Sequence, residues 1–110
     1  GSESKLLKGL EIGCAGVITA TCNVTASLSR KVYEDFIEKK QQTTNEILCN
    51  VRNTFEKFNL ISGLHSFMSD EDEIYKNVLP PVSLLTEKDK QKLIEDLNKL
   101  NFKLGSLKAA

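Results

Sequence analysis

The sequence predicts a mainly α fold: a helical bundle preceded by one short helix and one buried strand. Three observations carry this reading. Apolar residues recur at three- and four-residue spacing in successive windows from Leu28 onward, the period of a single buried helix face. Thr- or Ser-led capping patterns stand in front of several of these windows, where helix starts belong. Residues 16–24 alone break the pattern. They are uncharged, β-branched and apolar or small on both faces, the text of a strand covered on both sides in a parallel sheet.

Taken in order, Leu6, Leu7, Leu10 and Ile12 among Lys5, Lys8 and Glu11 predict a short first helix over residues 4–12, stopped by Gly13. The strand follows over residues 16–24. Its backbone groups need partners that no second β-like run supplies. Leu28, Val32 and Phe36, with Tyr33 and Ile37, then lie on one helical face that ends in the polar run Glu38-Lys39-Lys40-Gln41-Gln42. Thr43 with Glu46 reads as a capping box for a helix striped by Ile47, Leu48, Val51, Phe55 and Phe58. A shorter stripe, Leu60, Ile61, Leu64, Phe67 and Met68, is interrupted by Gly63. Ser69-Asp70-Glu71-Asp72 repeats the capping pattern before a helix through Tyr75. Pro80-Pro81 stops that helix and holds the chain extended. Thr86 with Asp89 caps a last helix facing inward with Leu93, Ile94, Leu97 and Leu100.

Composition narrows the function. The 110 residues carry 15 Lys+Arg against 15 Asp+Glu, a formal net charge of +0. That balance lacks the cationic field that nucleic-acid binding draws on, so no nucleic-acid partner is expected. No apolar run approaches the roughly 20 residues of a membrane span, so no membrane role is expected either. A complete (β/α)8 barrel needs about 200 residues or more and does not fit this length. The sequence shows no secretory leader, and a cytoplasmic location is expected. Gly1-Ser2 is open to two readings, a cloning scar or a natural loop, and residues 105–110 read as a tail of possible vector origin.

Residue chemistry taken alone identifies no active site. Cys14, Cys22 and Cys49 form no C-x-x-C pair and read as buried reduced thiols, so no metal is expected. His65 lies beside Leu64 and Phe67 and reads as a structural histidine. Asp70, Glu71, Asp72 and Glu73 lack a calcium-loop spacing and read as a solvated helix start. Lys88, Lys90 and Lys92, alternating with Glu87 and Asp89, read as an exposed face. Phosphate loops, zinc-protease and serine-hydrolase motifs are absent, and no cofactor is expected.

At the anomalous strand the text becomes specific. Gly13-Cys14-Ala15-Gly16-Val17-Ile18-Thr19-Ala20-Thr21-Cys22-Asn23-Val24 resembles the eighth-strand segment of the dihydrodipicolinate synthase/N-acetylneuraminate lyase family, which runs roughly G-x-x-G-[VI]-I-[ST]-x-x-x-N-[VL]. Gly1-Ser2-Glu3-Ser4 resembles the loop after that family's seventh strand. Val78-Leu79-Pro80-Pro81-Val82-Ser83-Leu84-Leu85 is similar to its R-P-P-L-x-P-L turn, with Leu79 in place of the usual Arg and Leu84 in place of Pro. The resemblance covers residues 1–102.

What it implies is a class I aldolase built on a TIM barrel with an appended helical domain. A lysine on the sixth strand forms a Schiff base with pyruvate or another 2-oxo acid, and a tyrosine on an earlier strand shuttles protons. Neither residue has a counterpart here, so the resemblance implies a catalytically silent C-terminal fragment. Only Ile18, through its backbone carbonyl, and Gly1 match positions that face the substrate. Residues 1–27 would be the last helix and strand of a truncated barrel, residues 28–104 the helical domain, and residues 105–110 the tail. A homo-oligomer is expected, with a pyruvate-type substrate in the longer parent only. The competing reading is a self-contained helical interaction or oligomerisation module without catalysis, in which the lone strand pairs with a second copy.

Overall fold

The structure, a computed structural model, describes residues 1–103. Five α-helices follow one another among these residues: α1 (Leu6–Glu11), α2 (Cys22–Ile37), α3 (Asn45–Glu56), α4 (Leu60–Met68) and α5 (Glu87–Lys99). Single 3₁₀ turns, Glu3–Lys5 and Glu73–Lys76, precede α1 and follow α4. The expected tail at residues 105–110 lies outside the described residues.

Helix α2 and helix α3 are the spine. On one side, Val24 from α2 and Val51 and Phe55 from α3 bury against Leu64 of α4, Leu93 and Leu97 of α5, and Phe102. On the other side, Val32 and Leu48 bury against Leu6 and Leu10 of α1. Leu28 packs against both clusters. The two sets are therefore one continuous core seen from either face of the α2–α3 pair, and its apolar burial is the main stabilising term. Phe67 meets Phe55 edge to face, with centroids 5.6 Å apart, a favourable quadrupole arrangement.

Three helices end in the same way. Past α1, Gly13 has φ +99, and Cys14 N and Gly13 N donate to the carbonyls of Gly9 and Leu10. Past α2, Lys39 (φ 58) sits in the same place, with Lys40 N donating to Asp35 O and Lys39 N to Phe36 O. Past α5, Asn101 (φ 56) repeats it, with Phe102 N on Leu97 O and Asn101 N on Asn98 O. Each left-handed residue satisfies carbonyls that the helix end would otherwise leave bare. At α5 the motif also delivers Phe102 back onto the core.

The strand expected at residues 16–24 is not formed. Residues 14–19 have no regular secondary structure, and α2 begins at Cys22, well before the Leu28 stripe. The reason lies in residue spacing. Thr21, Val24, Thr25, Leu28 and Val32 recur at helical intervals, and Thr21 at the N-cap is buried with Val24, Thr25 and Val32 of α2. Cys22 N is taken up by Thr19 Oγ1 at 2.9 Å, a local cap that an unpartnered strand could not match.

Other caps shifted by a residue or changed partner. Thr43 does not cap α3; Thr44 does, without a side-chain bond. The Thr43 hydroxyl and amide go instead to Asp35 Oδ2, at 2.9 and 3.2 Å. The expected helix through Tyr75 is only the 3₁₀ turn, capped by Asp72 rather than Ser69. Thr86 caps α5 as its sequence predicts, accepting from Asp89 N. No described helix is long and apolar enough to cross a membrane.

Candidate functional site

The two positions singled out by the sequence resemblance lie together. The Gly1 nitrogen donates to the Ile18 carbonyl at 3.0 Å, although the residues are 17 apart in the chain. The Ile18 side chain is 92% exposed, so this edge faces away from the core. A Cβ placed on Gly1 would stand 3.4 Å from Ile18 O and 3.7 Å from Val17 Cγ2. Both are ordinary van der Waals distances, so it is the hydrogen bond that joins the two residues.

Directly behind this edge is a buried charge cluster. Glu3 is wholly out of solvent. Its Oε1 accepts from Thr21 Oγ1 at 2.6 Å and from Arg52 Nη1 at 3.0 Å, and its Oε2 accepts from Thr25 Oγ1 at 2.6 Å. The Cys22 thiol lies 3.7 Å from Oε2. Arg52 Nη1 also reaches Thr21 Oγ1 at 2.7 Å, while its Nε is held by Glu56 at 2.7 Å. Burial pushes the Glu3 carboxyl upward. The hydroxyls of Thr21 and Thr25, its own backbone amide and the Arg52 guanidinium outweigh that, and hold it below the usual glutamate range. Burial likewise raises the Cys49 thiol, with the Glu3 charge adding to it.

Sequence reasoning missed this cluster, though its signal was present. Glu3, Leu6 and Leu10 share one inward stripe, and Arg52 falls between Val51 and Phe55 on the apolar face of α3; all six of these residues are buried. A charged residue on each of two inward faces, opposite in sign, is the mark of a buried pair.

The remaining candidates are placed as follows. Cys14 is exposed, correcting the expectation of buried thiols, while Cys22 and Cys49 are half-buried, and all three are free. His65 Nδ1 meets the Tyr75 carbonyl at 2.8 Å, tying α4 to the following 3₁₀ turn. Since a carbonyl only accepts, this nitrogen carries the proton. A groove of about 310 Å³ lies alongside, lined by Ala20, Val24, Ile61, Leu64, His65 and Met68. Among the described residues no three His, Cys, Asp or Glu side chains converge on a point.

No described lysine is buried. Lys90, the most enclosed, pairs with Asp70 at 2.7 Å. Lys40 is pushed upward by its bond to Glu38, away from the neutral amine that a nucleophile needs. Tyr33 lies under the Arg30 guanidinium, 4.8 Å from ring centroid to Cζ.

Neither the curated proteins nor the solved structures include a match to this chain. The family described as Dihydrodipicolinate synthetase family matches it over residues 1–100, nearly its whole length. The glycine and isoleucine that meet at 3.0 Å therefore sit in a chain that belongs to the dihydrodipicolinate synthetase family.

Proposed function

We propose that the chain is the C-terminal part of a Schiff-base carbon–carbon lyase. The substrate is pyruvate or a related 2-oxo acid, and the lysine nucleophile and tyrosine proton shuttle lie elsewhere in the parent enzyme. Residues 13–24 would then complete a (β/α)8 barrel as its last strand and the start of its last helix. Residues 28–104 would be the appended helical domain, in a cytoplasmic homo-oligomer that needs no cofactor. The observation that carries the reading is the Gly1–Ile18 contact at 3.0 Å. It brings together the two positions that, by the family resemblance, would flank the mouth of such a barrel, where barrel active sites lie.

Supporting it, the described lysines are exposed or ion-paired, whereas a Schiff-base lysine needs burial or a neighbouring cation to be neutral at pH 7. The 110 residues alone should therefore be silent. Incubation with pyruvate and borohydride, followed by intact mass, tests this: no adduct is expected, and a stable pyruvyl adduct on this chain would overturn the proposal.

A second reading is favoured by the exposed side chains of Ile12 (72%) and Ile18 (92%), at either end of an uncharged, irregular segment. It is that of a helical module without catalysis that self-associates through this edge. Sedimentation of the 110-residue chain tests this second reading. An Ile18→Asp variant that converts an oligomer to a monomer favours association through this edge, and an unsubstituted chain that stays monomeric at high concentration excludes it.

A further inference from the structure

The Glu3 cluster repeats, from inside, the contact that Gly1 and Ile18 make at the surface. Glu3 is two residues beyond Gly1, and Thr21 three beyond Ile18. The Thr21–Glu3 bond at 2.6 Å therefore closes the same loop as the Gly1–Ile18 bond at 3.0 Å. Arg52 reaches across from α3 and holds both members at once, at 3.0 Å to Glu3 and 2.7 Å to Thr21. Glu56 fixes the other edge of the guanidinium at 2.7 Å. Thr25, one turn along α2, holds the second carboxylate oxygen.

Such a cluster is a poor way to add stability, because desolvating both charges offsets most of their attraction and an apolar pair of similar volume serves a core as well. What it supplies is direction. Its bonds are short and come from three different elements, so Glu3 has one position in which all its partners are satisfied.

We propose that Glu3, Thr21 and Arg52 are positioning residues for the mouth: together they set the approach of Gly1 to Ile18, and through Arg52 they make α3 part of the site. The consequence for substrate rests on the lyase reading above; the brace itself does not. Helix α3 thereby acts on this edge through Arg52, and a change at Arg52 is felt at Gly1.

The test is the nuclear Overhauser contact between a Gly1 α-proton and the Val17 γ-methyl in the 110-residue chain. A Cβ on Gly1 would lie 3.7 Å from that methyl carbon, so the proton occupying its place is in range. Thr21→Val keeps the side-chain shape and removes the hydroxyl; this variant and Glu3→Gln should both lose the cross-peak. Thr21→Ser restores the hydroxyl and should retain it. Leu97→Val, in the cluster with α4 and α5, weakens the fold without touching the brace and should also retain it. If one of the two loss variants fails to fold, as judged by circular dichroism, the other carries the test.

Retention of the cross-peak in folded Thr21→Val and Glu3→Gln would overturn the proposal. Its loss in Leu97→Val would do the same, by marking the contact as a reporter of general loosening. The readout needs no substrate, so its failure leaves the lyase reading intact, and failure of Schiff-base chemistry leaves the brace intact.

Discussion

Replacing Arg52 with Met is the most informative single perturbation of this fold. Arg52 is 7% exposed and Glu3 is 0% exposed, so the substitution strands a carboxylate out of water. Breaking a buried pair from one side costs about 3–5 kcal/mol. Glu3 keeps the hydroxyls of Thr21 and Thr25 at 2.6 Å each, which places the expected loss at the lower end, about 3 kcal/mol. Glu3→Gln is milder. Arg52 retains Glu56, whose side chain is 45% exposed and partly hydrated, and the single glutamine oxygen can accept from only one of the two hydroxyls that the Glu3 carboxylate holds. About 2 kcal/mol is expected, the scale of a lost charge-assisted hydrogen bond. The double variant buries no unpaired charge, so it should cost about 3 kcal/mol rather than the sum, a coupling of about 2 kcal/mol. Urea unfolding followed by circular dichroism reads each value, provided the slope is unchanged between variants. An Arg52→Met loss below about 0.5 kcal/mol, the range of ordinary surface substitutions, would refute the burial argument. An additive cycle would refute the pairing.

Further expectations follow from the same geometry. Glu3 and Asp96 are both held below the ordinary carboxylate range. In each case burial opposes the shift, and bonding outweighs it: Thr21, Thr25 and Arg52 at Glu3, Lys92 and Lys57 at Asp96. A lowered folded-state value contributes stability that is present above the ordinary glutamate value of 4.5 and is lost as pH falls through the folded value. Stability should therefore drop on acidification, and Glu3→Gln should flatten that drop; an unchanged acid slope in Glu3→Gln argues against it. Gly63→Ala should stabilise by about 0.5–1 kcal/mol, since a helix interior favours Ala and the new Cβ would sit 3.7 Å from Phe55 and 3.8 Å from Leu93, ordinary contact distances. The same substitution at Gly13, with φ +99, should destabilise by about 1 kcal/mol. Thermal melts that move both variants in one direction would contradict the backbone argument.

Helix faces were legible because burial imposes its period on the text. The stripes Leu6–Leu10, Leu48–Val51–Phe55 and Leu93–Leu97 are among those that bury. The start of α2 was not legible. Thr21, Val24 and Thr25 are β-branched and uncharged, which reads as a strand, yet their spacing is helical and the capping atom comes from Thr19. Composition and period pointed in opposite directions, and tertiary context decided between them. Gly63 read as a flaw in α4, and is instead a buried position that faces Phe55 and Leu93. The meeting of Gly1 with Ile18 was legible only through the family pattern, since nothing in periodicity pairs residues 17 apart. Glu3 and Arg52 stood on inward stripes, but which charge would find which depended on the packing of α1 and α3 against α2.

The central claim is that this chain belongs to a Schiff-base lyase whose nucleophile lies outside these 110 residues. Its most direct test is borohydride trapping with pyruvate on the polypeptide that carries these residues in its native cells, followed by intact mass and peptide mapping. A polypeptide of about 200 residues or more, the least a complete barrel requires, is expected, with the adduct on a lysine upstream of Gly1. An adduct on a lysine within this chain, or a barrel-sized polypeptide that traps no 2-oxo acid, would contradict it.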